Sequence, residues 1–155
     1  MDWKALSNAA YARDVDMTYR GALGPVYRVV YDTLSFESRQ KIFNMSIPQT
    51  LVLSNLRLTA FTKNVDDAEL KKLQWIPPFA VEAAPFELKI VGKNSTVIIS
   101  ADKAVVKGST MVGLSGNVEI SVGGASKKIS SSVLSIEGRT LRLRTQAGKG
   151  LDMKF

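Results

Sequence analysis

The chain contains neither cysteine nor histidine, and these two absences exclude much of the chemistry open to a protein of its size. Structural zinc sites depend on cysteine and histidine ligands. A thiol nucleophile needs cysteine, and the common serine and cysteine hydrolases pair their nucleophile with histidine. Among these classes, the composition leaves open only carboxylate metal sites and serine–lysine hydrolysis.

Long apolar runs are absent as well. No stretch reaches 18 apolar residues, so the sequence predicts no transmembrane helix. No basic start precedes an apolar stretch, so we expect no signal peptide in this sequence. These patterns fit a cytoplasmic protein or a chain that follows a removed signal or anchor.

Motifs for catalysis are also missing. The glycines in 21–24 and 113–116 lack the Lys-Ser/Thr that completes a phosphate-binding loop, and both lie between predicted strands. The serines at 130–132 lie outside the G-x-S-x-G pattern of a nucleophile elbow. Asp66 and Asp67 lie at the start of a predicted helix, where the helix dipole accounts for them without a metal. We therefore predict a protein that is not an enzyme and holds no cofactor and no metal.

Positive charge is present in excess and is concentrated near the C-terminus. The net charge is +7. Residues 101–155 hold nine basic and four acidic residues, a net +5, which leaves +2 for the first 100 residues. Such a basic third favours an anionic partner, such as nucleic acid, phospholipid or a phosphorylated glycolipid. A solubilising surface accounts for it equally well.

Alternation of apolar and polar side chains dominates the sequence. Runs such as Val15, Met17 and Tyr19 have the period of two that is typical of half-buried strands. Turn residues recur about every 8 to 12 positions, as in sandwiches, barrels and β-rolls. With 155 residues, 45% of them hydrophobic, the chain suffices for one domain with a core. We predict an all-β fold over residues 15–155, a twisted open antiparallel β-roll or jellyroll with one short helical insertion.

Two segments depart from this alternation. The first is the N-terminal segment, residues 1–14. Its Trp3, Leu6 and Ala10 have helical spacing, as expected for the juxtamembrane remnant of an anchor. Residues 64–74 are predicted to form a helix capped by Asn64, with acidic residues early and lysines late. The prolines at 77 and 78 end this helix, and we interpret 64–85 as a connector between two β halves.

The apolar strands supply a candidate binding site. If the β-structure does not fully close, inward side chains would line an interior wide enough for acyl chains, and methionine suits such an adaptable surface. Ordinary core packing is the alternative interpretation of each residue. The candidates for this apolar interior are Met17, Tyr19, Tyr27, Val29, Phe43, Met45, Phe86, Leu88, Val97, Ile99, Val118, Ile120, Leu141 and Leu143. The candidates for contact with an anion are Lys127, Lys128, Arg142 and Arg144.

Several of these strands resemble a known family. The strand VIISADKA at 97–104 precedes LSGNVEI at 114–120, SSVLSI at 131–136 and RTLRLRT at 139–145. This order resembles the β-jellyroll domains of the periplasmic lipopolysaccharide-transport family (LptC, LptA and OstA-like), and residues 27–34 with 41–45 look like a fainter copy. The resemblance covers about 15–155, with 64–85 as an insertion. It implies an open β-roll that holds lipopolysaccharide acyl chains, and rolls that stack edge to edge, with 151–155 as a candidate edge.

We therefore expect a non-catalytic, lipid- or lipopolysaccharide-binding component of periplasmic transport or export assembly, anchored in the inner membrane in its full-length form. Its partners would be lipopolysaccharide or another anionic lipid, and neighbouring β-roll proteins paired through edge strands. A protein-binding structural β-sandwich is the first alternative. An oligonucleotide-binding β-barrel is the second. Nucleic acid is disfavoured because the aromatic residues lie mainly in the first half and the excess charge in the second, whereas a stacking platform needs both on one surface.

Overall fold

The computed structural model describes residues 13–42, 45–73, 75, 80–107 and 111–155 of the chain. In these residues twelve strands form one open sheet, accompanied by one short α-helix and one 3₁₀ turn, which confirms the predicted all-β roll with a helical insertion. The strands are β1 (Arg13–Gly21), β2 (Gly24–Ile42), β3 (Met45–Ala60), β4 (Ala80–Val91), β5 (Thr96–Ala101), β6 (Lys103–Lys107), β7 (Val112–Ser115), β8 (Glu119–Val122), β9 (Ala125–Lys128), β10 (Ser132–Glu137), β11 (Thr140–Thr145) and β12 (Gly150–Lys154). The 3₁₀ turn is Thr62–Asn64 and the helix α1 is Asp67–Lys72.

The sheet branches at one strand. Its main path runs β1-β2-β3-β4-β6-β7-β10-β11-β12, and a shorter branch, β5-β8-β9, leaves it at β4. The β3–β4 ladder is parallel and the other ladders described are antiparallel. A parallel pair needs a crossover connection, and residues 61–79 supply it.

The branch forms where β4 changes its partner. Residues 80–83 pair with β6, and residues 86–91 pair with β5. Pro85 lies between the two ladders and has no N–H to donate to either. The β3–β4 register passes over Pro85 and Asn55 together. Asn55 has a left-handed backbone with φ 54°, and its Nδ2 donates to Asp32 Oδ2 at 3.1 Å.

Both branches contribute to one hydrophobic core. It joins Val29 and Leu53 of the first strands with Ile99 and Ile120 of the shorter branch and Leu141 of the longer one. Each of these side chains is at most 2% exposed. Burial of such a side chain contributes about 1.5–3 kcal/mol, so packing between the two branches stabilises the roll.

The connector packs over one end of the roll. Val26, Val65 and Leu70 form a second buried cluster, against which Trp75 and Phe155 pack. The rings of Trp75 and Phe155 meet edge to face, with centroids 6.0 Å apart. The connector therefore ties the β1–β2 hairpin to the C-terminus of the chain.

The ends of this connector differ from those predicted. Asp66, rather than Asn64, caps α1, because its Oδ1 accepts the Glu69 N–H at 2.8 Å. Asn64 ends the 3₁₀ turn, and its Nδ2 donates to the Pro25 carbonyl at 2.8 Å. The predicted connector, 64–85, is also too long at its C-terminal end, because β4 begins at Ala80 and pairs with β3 and β6 from there.

Candidate ligand-binding site

Nine of the predicted interior residues lie in the hydrophobic core. Their side chains are 0 to 6% exposed, which is the burial of ordinary core. They are Val29, Phe86, Leu88, Val97, Ile99, Val118, Ile120, Leu141 and Leu143. Tyr27 is partly buried and packs against the same core. Phe43 and the side chain of Met45 lie outside the described residues.

Two predicted interior residues are exposed instead. Met17 and Tyr19 are 43% and 56% exposed, so their placement inside the roll is wrong. Both lie on β1, which ends the sheet path and pairs with β2 alone among the described strands. Alternation along β1 correctly predicts a strand. Because β1 lies at the edge of the sheet, however, fewer neighbouring residues cover its apolar face.

A small pocket opens where the shorter branch meets the longer one. We call it the seam pocket; its volume is about 230 Å³. Ile129, Leu143 and Leu151 supply its apolar lining, and Lys127 and Lys149 border it. The full lining is Lys127, Ile129, Ser130, Leu143, Thr145, Lys149, Gly150 and Leu151. Apolar side chains beside two cationic groups are the chemistry that an anionic amphiphile requires.

Backbone hydrogen bonds fix both sides of the seam pocket. On one side the Ile129 N–H donates to the Val118 carbonyl at 2.9 Å, which holds the segment after β9 against the core. On the other side the Thr145 N–H donates to the Lys149 carbonyl at 2.8 Å. Gly148 allows this tight β11–β12 turn because it adopts φ 76°, where a side chain would be strained. The turn carries Lys149, which lines the same pocket as Lys127.

The predicted anion contacts divide into two kinds. Arg144 Nη1 donates to Asp152 Oδ1 at 2.7 Å, and this hydrogen bond lowers the pKa of the Asp152 carboxyl and raises that of Arg144. Arg142 lies 3.6 Å from Glu137 and 3.9 Å from Asp152. Both arginines thus already face carboxylates, which offset their charge.

The predicted lysines are different. In the part of the chain that the structure describes, Lys127 and Lys128 form no ion pair, and neither does Lys149. Of the two predicted lysines, only Lys127 lines the seam pocket. The sequence pattern did not identify Lys149 and Ile129 as pocket residues, since Lys149 lies in a turn and Ile129 is a single apolar residue between polar ones.

A second groove lies beside the connector. We call it the connector groove; its volume is about 470 Å³. The rings of Tyr19 and Tyr27 stack there, with centroids 5.3 Å apart and planes 13° from parallel. The connector faces them with Val65, Glu69, Lys72 and Leu73, and Gly21 and Val26 complete the lining.

None of the described residues form a group of three or more carboxylates placed to hold a metal ion. In the same residues, no helix has both the length and the apolar character that crossing a membrane requires.

Comparisons of the chain with protein-family models, with curated proteins and with solved structures each gave no significant match. The similarity of its strand motifs to lipopolysaccharide-transport domains is therefore an expectation from the sequence.

Proposed function

We propose that this chain is a non-catalytic, lipid-binding β-roll that holds an anionic lipid at the seam pocket, with lipopolysaccharide as the leading candidate. The observation that carries this proposal is an apolar pocket bordered by Lys127 and Lys149, two lysines that form no ion pair with any described residue. A headgroup phosphate or carboxylate would lie between the lysines. The first carbons of an acyl chain would contact Leu143 and Leu151, and each buried CH₂ would contribute about 0.8 kcal/mol.

A longer acyl chain needs the seam to widen, because Leu143 is only 2% exposed. Among the described strands, β9 pairs only with β8 and β12 only with β11. No ladder of main-chain hydrogen bonds therefore crosses the seam between these two strands. Widening would separate side chains and break no sheet pairing between β9 and β12, so opening the seam would leave the main-chain hydrogen bonds of both strands intact.

The broader role that we propose is a periplasmic component of lipid transport or export assembly, anchored to the inner membrane in its full-length form. Its protein partners would be neighbouring β-rolls. The free edges of β1 and β12 support this part of the proposal, since each strand ends the sheet path and has one partner among the described strands. Strand addition at such edges is a common way to join β proteins.

Native mass spectrometry with and without lipopolysaccharide tests the lipid proposal. We expect a stoichiometric adduct with the wild-type protein, and at least a tenfold loss of adduct in the Lys127→Gln, Lys149→Gln double variant. Lys128→Gln is the matched control, because Lys128 neighbours Lys127 on the same strand, lies opposite Glu119 in the β8–β9 register and does not line the pocket. An adduct that survives the double variant, or falls equally in the control, would contradict the assigned site.

A protein-binding module is the second candidate, favoured by the exposure of β1. Eight of its nine residues are exposed, so both faces of this edge strand are accessible. If folded protein forms no adduct at high lipid concentration, strand pairing through β1 becomes the better assignment. Binding of an oligonucleotide that weakens steeply with added salt would instead support the nucleic-acid alternative, because phosphate contacts release counterions.

A further inference from the structure

The stacked tyrosines of the connector groove form an aromatic shelf. Tyr19 and Tyr27 are cross-strand partners on β1 and β2, and their rings lie nearly parallel at 5.3 Å. Tyr27 is partly buried against the core, whereas Tyr19 is 56% exposed. Stacking on Tyr27 sets the plane of the Tyr19 ring and leaves much of that ring available to a ligand.

The groove has the dimensions and composition of a small-molecule site. Its volume of about 470 Å³ lies within the range of about 300–1,000 Å³ found for such sites. Val26, Val65 and Leu73 give it apolar walls. The exposed side chains of Glu69 and Lys72 place hydrogen-bonding groups at its rim.

The charges at the rim restrict the class of ligand. Glu69 and Lys72 carry opposite charges, so the rim has no net charge and a ligand of either sign gains no overall attraction. The carboxylate accepts hydrogen bonds and the ammonium donates them. Hydroxyl groups do both, so neighbouring hydroxyls on one ligand satisfy both side chains.

We infer that the connector groove binds a sugar ring, with the C–H face of a pyranose on Tyr19 and its hydroxyls at Glu69 and Lys72. A pyranose combines an apolar face with a rim of uncharged hydroxyls, which is the complement of this groove. The inference does not depend on lipid binding at the seam pocket. It holds for a free saccharide and for the sugar of a glycolipid alike.

Saturation-transfer NMR on the whole chain tests this inference. The probes are the methyl glycosides of glucose, galactose, mannose and N-acetylglucosamine at about 10 mM, suited to dissociation constants near the millimolar range. We expect transfer to the C–H protons of one ring face for at least one probe. Tyr19→Ala should weaken that binding about tenfold or more, and Tyr19→Trp should restore it, because the contact requires an aromatic face.

Met17→Ala is the matched control. Met17 lies two residues away on the same strand, is similarly exposed at 43%, and does not line the groove. Its variant should bind as the wild type does. The absence of transfer to all four glycosides, equal binding by Tyr19→Ala, or binding of adenosine in place of sugars would each overturn the inference. Octyl glucoside that binds at least tenfold more tightly than methyl glucoside would assign a lipid-linked sugar, and equal affinities a free saccharide.

Discussion

Arg139, in the turn between β10 and β11, donates from Nε to Asp67 Oδ1 of the connector at 2.7 Å. The same guanidinium donates from Nη2 to the Val65 carbonyl at 2.8 Å and from Nη1 to the Thr62 carbonyl at 3.4 Å. One planar side chain thus joins the last third of the chain to the connector that precedes β4.

Arg139→Lys should therefore lower the free energy of unfolding by about 1–2 kcal/mol, because an ammonium cannot reproduce the three-way geometry of a guanidinium. Urea denaturation measures the change. Arg142→Lys is the control: its ion pairs are exposed and long, at 3.6 and 3.9 Å, and should contribute less than about 1 kcal/mol. Equal losses in the two variants would show that the connector is not held through Arg139.

Leu151→Glu should reduce lipid binding at least tenfold, because it places a negative charge in the seam pocket beside the expected headgroup. Val122→Glu is a close control, since Val122 and Leu151 are both 37% exposed and Val122 lies outside the pocket. Titration with lipopolysaccharide, followed by native mass spectrometry, measures lipid binding by both variants. Similar melting temperatures for the two variants would separate loss of binding from loss of folding.

Ile99→Ala should lower the free energy of unfolding by about 2–5 kcal/mol, because it leaves a cavity in a fully buried site. Ile98→Ala, one residue away on the opposite face of β5, should cost about 1 kcal/mol or less, since Ile98 is only partly buried. Chemical denaturation compares the two. A small effect at Ile99 would indicate an interior loose enough to take a ligand without widening of the seam.

Tyr31→Phe should raise the free energy of unfolding by about 1 kcal/mol, because folding removes water from the hydroxyl and gives it no protein partner among the described residues. Burial also raises the pKa of Tyr31. The neutral hydroxyl is favoured in the folded state, so the wild type keeps its full stability below the unfolded pKa of about 10 and loses part of it as the pH rises above that value. The phenylalanine variant should therefore lose less stability than the wild type above pH 10, as measured by thermal melts. An equal loss in both proteins would contradict this role of the hydroxyl.

Much of the fold follows from local pattern. Alternation identified the buried face of Val97 and Ile99, and that of Leu141 and Leu143, because a period of two places every second side chain on one side of a strand. The same rule wrongly predicted that Tyr19 is buried, since burial depends on whether another layer lies above the strand. That is a tertiary property, which the β1 sequence does not encode.

The candidate sites were harder to predict for a similar reason. The seam pocket joins Lys127 to Lys149 through the meeting of two branches, and 21 intervening residues hide that proximity in the sequence. The stacking of Tyr19 on Tyr27 is local and follows from hairpin pairing. Its groove, however, needs the connector, which folds back from beyond β3.

The position of β4 limits how the protein can be divided into fragments. It bonds to β3 along one edge and to both β5 and β6 along the other. A fragment that ends before β4 would leave β3 with a bare edge, and a fragment that starts at β4 would lack the neighbour that supports the branch. We therefore expect that the similarity of 27–34 to later strands does not mark two autonomous units. Both β halves depend on pairing with β4. They should therefore fold together and unfold together, and neither should fold after a cut between them.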